Sequence, residues 1–278
     1  MSEQNIKLVG LDIDGTLLNS HGQITPHTRE VIVKCIESGC RVIPATGRPL
    51  LGVPDAFLRI PGVEYAVTAN GASVVRVDSG EFILKYWLSR EMVEQAFRKT
   101  AGLYRVFDVF TEGSGYSQAE NLAVAEEWAP RNMAAYMRKS RRPVEDIEEF
   151  ISQQQGFEKC TMFFMSEEKR QKAREVLGQM GCFEVVASES NNLEISAKGV
   201  HKGIALLGLG ELLGLEKNQV MACGDSENDL EMLRAVGLGV AMANAALEIR
   251  SQADVVTASN DEDGVALALE RFVLGAGK

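Results

Sequence analysis

The chain has 278 residues, 45% hydrophobic and 24% charged, the make-up of a soluble globular protein with room for one large or two modest domains. Asp and Glu number 39 against 29 Lys and Arg, a formal net charge of −10, which argues against non-specific binding to nucleic acid or to an anionic membrane surface. An anionic substrate must then be drawn by a local cation or cluster, not by the global field.

The apolar run from Leu8 to Leu11 ends in Asp12-Ile13-Asp14-Gly15-Thr16 and reads as a buried strand of a parallel sheet. Ligands gather outside the carboxyl ends of such strands. Two carboxylates spaced two residues apart there repel each other unless a cation lies between them or one holds a proton. Oxygen-rich sites of this kind suit Mg2+. The polar-tipped stretch that follows is a candidate flap. Thr25-Pro26 starts a helix, Thr as N-cap and Pro in the first helical position, and Gly39 closes it. Residues 41–45 form the next strand, in which Pro44 fits a central position poorly, and lead into Thr46-Gly47-Arg48. A β-α-β unit of this length implies a parallel pair with a right-handed crossover. A third strand, 65–68, ends in Ala69-Asn70-Gly71-Ala72, and β-like runs at 73–77 and 82–87 flank the turn Asp78-Ser79-Gly80.

From about Ser89 the pattern changes. Helical stretches at 91–100, 121–137 (with a break at Pro130) and 144–154 mix with β-like runs at 104–111, 160–165 and 183–187, as in an inserted α+β domain. This region carries a local basic excess, Arg131, Arg138, Lys139, Arg141 and Arg142, either a solvated helix face or an anion contact. Its aromatics Phe107, Phe110, Tyr116, Trp128 and Tyr136 are candidates for stacking on a sugar or for core packing. The α/β rhythm resumes after Asn191 with a β-like run at 193–196, and Lys202 opens a helix over 203–213 in which Gly208 and Gly210 suggest close packing. The strand 219–223 runs into Gly224-Asp225-Ser226-Glu227-Asn228-Asp229, and alternating helices and strands continue to a last helix at 264–272.

Cys35, Cys40, Cys160, Cys182 and Cys223 are odd in number, widely spaced and contain no CxxC pair, so neither a disulfide framework nor a zinc knuckle is expected. The N-terminal MSEQNIK lacks a signal peptide's apolar stretch, and the apolar segment 203–215 is too short for a membrane span and carries Glu211. The expectation is a cytoplasmic protein.

Strand and helix ends therefore offer two acids, a hydroxyl, a lysine and a second acid pair. With DIDGT at 12–16, ATGR at 45–48, NGA at 70–72, Lys202-Gly203 and GDSEND at 224–229, followed by AMANA at 241–245, Ala253-Asp254 and Asp263-Gly264-Val265, the chain resembles the haloacid dehalogenase superfamily, in its Cof-like branch of sugar-phosphatase-type hydrolases. The motifs cover both ends of the chain, and the middle matches only as an inserted cap. The resemblance implies an α/β fold: a doubly wound parallel sheet (a Rossmann-like core) over 1–84 and 191–278, with an α+β cap over 85–190 that sets substrate specificity.

The resemblance further implies a Mg2+-dependent phosphatase of small phosphorylated metabolites, sugar phosphates first, working through an aspartyl-phosphate on Asp12. Monoester hydrolysis needs up to roughly 10^21-fold acceleration, and a carboxylate nucleophile divides it into two easier steps. Asp14 would be general acid and then base; relatives that keep a stable phosphoenzyme carry Thr there. Mg2+ would be held by Asp12, the Asp14 backbone carbonyl and Asp225. Phosphoryl oxygens would be held by the Ile13 amide, Thr46, the Gly47 amide and Asn228, with Lys202 bridging nucleophile and phosphate. Asp229 would support the metal ligands or pair with Lys202. Arg48, Asn70 and Glu194 are candidates for substrate contact or cap closure, with a structural role equally open, and Cys223 reads as packing. The expected partner is a small phosphorylated metabolite, with no nucleic acid and no membrane. Two alternatives share these residues: a phosphomutase that keeps its aspartyl-phosphate dry, and a non-enzymatic phospho-aspartate signalling module.

Overall fold

The computed structural model describes residues 5–128, 131–187 and 190–275. Strand β1 (Leu8–Leu11) is buried along its whole length. Helix α1 (Pro26–Glu37) starts where expected: the Thr25 hydroxyl accepts the Thr28 amide, Pro26 fills the first turn, and Val31, Ile32 and Cys35 are buried. β2 (Arg41–Pro44), α2 (Asp55–Leu58), β3 (Tyr65–Thr68), β4 (Ser73–Arg76) and β5 (Phe82–Lys85) follow. Next come β6 (Leu88–Ser89), α3 (Arg90–Lys99), β7 (Val106–Thr111), β8 (Ser114–Gln118), α4 (Ala119–Ala123), α5 (Ala125–Trp128), α6 (Arg131–Ser140) and β9 (Arg141–Val144). Then α7 (Ile147–Gln153), β10 (Gly156–Phe157), β11 (Lys159–Phe163), α8 (Glu167–Met180), β12 (Phe183–Val186) and β13 (Asn192–Ala197). The chain ends with α9 (Lys202–Leu212), β14 (Val220–Gly224), α10 (Leu230–Ala235), β15 (Leu238–Ala241), α11 (Leu247–Arg250), β16 (Val255–Val256) and α12 (Gly264–Phe272).

Two compact units result. The first takes the residues up to Gly47, Val53–Leu84, and those from His201 onward; the second takes Arg48–Gly52 and Lys85–Val200. In the first, a parallel sheet runs β16-β15-β14-β1-β2. A bridge between Ala45 and Val67 carries β3 alongside β2. Pro44 is tolerated because the Ala45 amide bonds the Leu11 carbonyl of β1, so the amide that proline lacks would face β3, where pairing starts only one residue later. On one face Val9, Leu11, Val31, Ile32, Val265 and Leu269 share a core under α1 and α12. On the other, α9 packs close, and a Cβ on Gly210 would touch Val220 at 3.4 Å. Helices on both faces make the sheet doubly wound, as expected. The candidate flap is anchored by buried Leu17 and Leu18, leaving only a tip at 20–23 exposed.

The second unit holds a six-stranded sheet, β12-β13-β11-β7-β8-β9, antiparallel except between β8 and β9. Phe107, Val109, Cys160, Met162, Leu193 and Ile195 line one face and pack with Val93, Ile151 and Leu177 of α3, α7 and α8. The return to the first unit, expected at 191, comes at His201. The reason is β13: Leu193 and Ile195 alternate with Asn192, Glu194 and Ser196, the period of a two-faced antiparallel strand, and it pairs with β11 and β12. Helix α8 went unanticipated because only Ala173 and Leu177 of it are buried; its signals are the Ser166 cap on the Lys169 amide and the left-handed Gly181 that ends it. The basic run is no single helix face, since Arg141 and Arg142 belong to β9. The helix break at Pro130 and the side chains of Trp128 and Arg131 lie outside the described residues.

Candidate active site

β1 delivers Asp12, β14 delivers Asp225, and the start of α9 delivers Lys202. The Asp12 amide bonds the Cys223 carbonyl at 3.0 Å, which extends the β1–β14 pairing and sets Asp12 beside the loop that follows Gly224. Lys202 is wholly buried; its Nζ donates to Asp12 Oδ1 at 2.5 Å and to Asp229 Oδ1 at 2.7 Å. The other oxygen of Asp229 accepts the Asp225 amide at 3.0 Å, the Ser226 amide at 3.1 Å and the Ser226 hydroxyl at 3.2 Å, bracing the loop. The Thr16 hydroxyl donates to Asp225 Oδ1 at 2.6 Å. Gly15, at φ +79°, gives this turn its left-handed residue, and a Cβ on it would fall 2.4 Å from Asp225 Oδ2. Asn244 Nδ2 fixes the same turn by donating to the Gly15 carbonyl at 2.8 Å.

Carboxylate oxygens of Asp12, Asp225 and Asp229 lie within 4.8 Å of one another, with Lys202 as the cation bonded to Asp12 and Asp229. Burial, then the Asp229 charge, push the Asp12 carboxyl well above the usual range against the pull of Lys202. Burial pushes Asp225 up to about 6, with the Thr16 hydroxyl opposing and Asp229 adding. Burial works against the Lys202 ammonium, but Asp12 and Asp229 outweigh it and hold the lysine above its ordinary range. The donor set is oxygen only and short of positive charge, which fits a divalent cation such as Mg2+. Asp229 already has both oxygens engaged, so the acceptor capacity left over belongs to Asp12 and Asp225. Asp14 is exposed and lies outside that trio.

A second group of candidates meets beside it. Asn70, left-handed at φ +58°, bonds the Thr46 carbonyl through its amide at 3.0 Å. Asn228 Nδ2 donates to Asn70 Oδ1 at 3.1 Å. A side chain on Gly47 has no room, because its Cβ would lie 2.7 Å from Asn70 Oδ1 and 3.5 Å from Asn228 Nδ2. Thr46 and the Ile13 side chain are buried. Arg48 and Glu194 fall in the second unit: Arg48 donates to the Gly52 carbonyl at 2.9 Å, and Glu194 accepts from Lys159 at 2.6 Å. Cys223 is buried, its thiol pushed up to about 12 by burial and then by Asp229, so it stays protonated. Thr16, Ser226 and Asn244 were not singled out from the sequence as site residues. Each stands inside a recognised motif, and that position was the available signal.

A family model of the haloacid dehalogenase-like hydrolases matches residues 9–269. The chain belongs to that family. The resemblance drawn from its motifs is thereby borne out, and this haloacid dehalogenase-like hydrolase is an enzyme. The 5-amino-6-(5-phospho-D-ribitylamino)uracil phosphatase YcsE of Bacillus subtilis is 30% identical over 271 residues, 97% of each chain. Phosphatase YwpJ of the same organism is 27% identical over 286 residues, 96% of this chain and 100% of the relative. Among solved structures, a haloacid dehalogenase-like hydrolase from Bacillus subtilis aligns with a TM-score of 0.82 at 28% identity, covering 95% of this chain and 99% of the other. The subclass IIB sugar phosphatase BT4131 aligns at 0.77 and 26% identity over 96% and 98%. These relatives favour neither the mutase nor the signalling alternative. Among the described residues no helix of this haloacid dehalogenase-like hydrolase is long and apolar enough to cross a membrane.

Proposed function

We propose that the chain is a Mg2+-dependent phosphatase of small phosphorylated metabolites, sugar phosphates first, acting through an aspartyl-phosphate on Asp12. The observation that carries this reading is the close trio Asp12, Asp225 and Asp229, of which the buried Asp12 and Asp229 share the ammonium of Lys202. A relative that dephosphorylates a ribitylamino-uracil phosphate and a structural neighbour named as a sugar phosphatase support the substrate class.

Lys202 orients the Asp12 carboxylate and favours its ionised form. Asp229 holds the lysine in turn and braces the loop that carries Asp225. Mg2+, held by Asp12, the Asp14 backbone carbonyl and Asp225, would offset the repulsion between an anionic nucleophile and an anionic phosphoryl group. Asp12 forms its bond to phosphorus as the bond to the leaving oxygen breaks, and Asp14 gives that oxygen a proton. Asp14 then takes a proton from water as the water oxygen attacks phosphorus and frees Asp12. Thr46, the amides of Ile13 and Gly47, and Asn228 hold the phosphoryl oxygens, and Asn70 steadies Asn228. The inserted unit reads the organic part of the substrate, which the phosphoryl-handling residues do not distinguish.

The test is phosphate release from a panel of phosphorylated metabolites, with and without Mg2+, for wild type and Asp12→Asn. Mg2+-dependent turnover that the substitution abolishes is expected. Silence from wild type across the panel, or turnover surviving Asp12→Asn, would sink the reading.

A further inference from the structure

The turn that carries Asp14 is closed by two asparagines to which no step above gives a part. Within the turn the Leu17 amide bonds the Asp12 carbonyl at 3.2 Å and the Leu18 amide bonds the Ile13 carbonyl at 2.9 Å. Asp14 and Leu18 pair as an isolated parallel bridge. Two further carbonyls of the turn are taken by side chains from the last part of the chain. Asn244 Nδ2 donates to the Gly15 carbonyl at 2.8 Å, and Asn260 Nδ2 donates to the Leu18 carbonyl at 2.9 Å. The asparagines are themselves joined, since the Asn260 amide donates to Asn244 Oδ1 at 3.0 Å. These bonds make a ring from Gly15 through Asn244, Asn260 and Leu18 to Ile13. The residue held between Ile13 and Gly15 is Asp14.

The ring has a firm mount. The Ala243 amide bonds the Ala258 carbonyl at 3.2 Å, and the Met242 amide bonds the Gly224 carbonyl at 3.0 Å. The loop of Asn244 is thus tied both to the loop of Asn260 and to the strand that delivers Asp225. Glu262 Oε2 accepts the Ser259 hydroxyl at 2.7 Å and the Ser259 amide at 3.3 Å, which fixes the backbone just before Asn260. Gly15 needs such support, because at φ +79° it is left-handed and glycine has the least restricted backbone of any residue. The peptide between Gly15 and Thr16 is held on one side by Asn244 and on the other by the Thr16 bond to Asp225. A misplacement of about 1 Å at a reacting group can cost roughly 10^2-fold in rate. Asn244 is nevertheless exposed, and substitutions at exposed positions change overall stability little.

We infer that Asn244, keyed by Asn260, is a positioning residue for Asp14, setting its carboxyl where it can protonate the leaving oxygen. The inference rests on the phosphatase reading above. As Asp12 bonds to phosphorus, the leaving oxygen departs with the bonding electron pair and takes the Asp14 proton. A poor leaving group depends on that proton, and a good one much less.

The test is kcat/KM in Mg2+ on phenyl phosphate and on p-nitrophenyl phosphate, which differ by one nitro group and hence mainly in how readily the oxygen leaves. Wild type, Asn244→Ala, Asp14→Asn and the double variant are compared, with their melting temperatures. In Asn244→Ala the phenyl-to-nitrophenyl ratio is expected to fall roughly tenfold, part of the roughly 10^2–10^4-fold that a well-placed general acid contributes. Its melting temperature should stay within about 2 °C of wild type. In the Asp14→Asn background the same substitution should leave the ratio unmoved, because the group it positions is gone. Asn244→Asp keeps the acceptor for the Asn260 amide and loses the donor to Gly15, so it should follow Asn244→Ala. A ratio within about twofold of wild type in Asn244→Ala, while Asp14→Asn lowers it, overturns the positioning role alone. So does a further fall of the ratio in the double variant, or an equal loss on both esters with a lowered melting temperature, the mark of a purely structural part. A ratio unmoved by Asp14→Asn overturns the acid role of Asp14 and this inference with it. A wild type that hydrolyses neither ester overturns the phosphatase reading itself.

Discussion

In the first unit Asp12 and Asp229 share one buried lysine with Asp225 close by, whereas in the second Asp108 and Glu194 each have a cation of their own, Arg141 and Lys159. Taking an ion out of water costs several kcal/mol, by about the same rule in both places. The second cluster offsets that cost with partners drawn from neighbouring strands. The first does not: burial and neighbouring carboxylates together hold Asp12 well above the usual range and Asp225 at about 6, whereas burial alone raises Asp108, against the pull of Arg141 and Lys159. A matched cluster needs no charge from outside. An unmatched one is built around charge that arrives from outside, which is the property a phosphoryl-transfer site needs.

The comparison breaks at once if the unmatched cluster proves dispensable. Asp12→Asn is expected to lower Mg2+-dependent phosphate release roughly a thousandfold or more, and single-turnover assays would read the loss. Removing the shared cation is the next largest effect. Lys202→Met leaves two buried carboxylates without it and should cost about 3–5 kcal/mol in urea unfolding. By contrast, replacing both members of the matched pair, Lys159→Met with Glu194→Leu, should shift stability by no more than about 1 kcal/mol. Equal losses in the two experiments would erase the distinction drawn between the clusters.

Adding the missing charge sharpens the contrast. Mg2+ at 100 times its Kd should stabilise wild type by about 2.7 kcal/mol, seen as a rise in melting temperature, and Asp225→Asn should remove most of that rise. A further effect is on pH. The folded-state value of Asp225, about 6, lies above the ordinary 3.8, so the folded protein keeps this proton longer than the unfolded chain does. Its contribution to stability is complete below 3.8 and is lost as pH rises through about 6. In chelator, the melting temperature of Asp225→Asn relative to wild type should therefore climb from pH 4 to pH 6.5, and Mg2+ should flatten the difference. A flat difference in chelator would show that Asp225 carries no such strain.

The two clusters were not equally legible in the sequence. Asp12, Asp225 and Lys202 announce themselves because each sits where an apolar run or a helix begins or ends, inside a short recognisable motif. The N-cap at Thr25 and the helix it starts were readable for the same local reason. The second cluster has no such signal. Asp108, Lys159 and Glu194 alternate with apolar residues, a pattern that in an isolated strand means one face in water. Only the register of β7, β11 and β13 shows that the polar face is buried as well. The same alternation in β13 misplaced the end of the inserted unit, and Arg141 looked like part of a solvated basic run until β9 put it against Asp108. Pairings between strands far apart in the chain are what local periodicity cannot carry.

The chain enters and leaves the second unit next to residues of the active site. Arg48 follows Thr46-Gly47 directly, and the return at His201 comes one residue before Lys202, while the passage at Leu84–Lys85 is free of site residues. Anyone exchanging the inserted unit for that of a relative therefore has one forgiving splice and one that is not. A graft cut at 84/85 has slack, but at 200/201 a shift of a single residue would change the entry into α9 and the angle at which the buried ammonium reaches Asp12. Chimeras that fold well yet fail to turn over should be repaired first at that downstream junction.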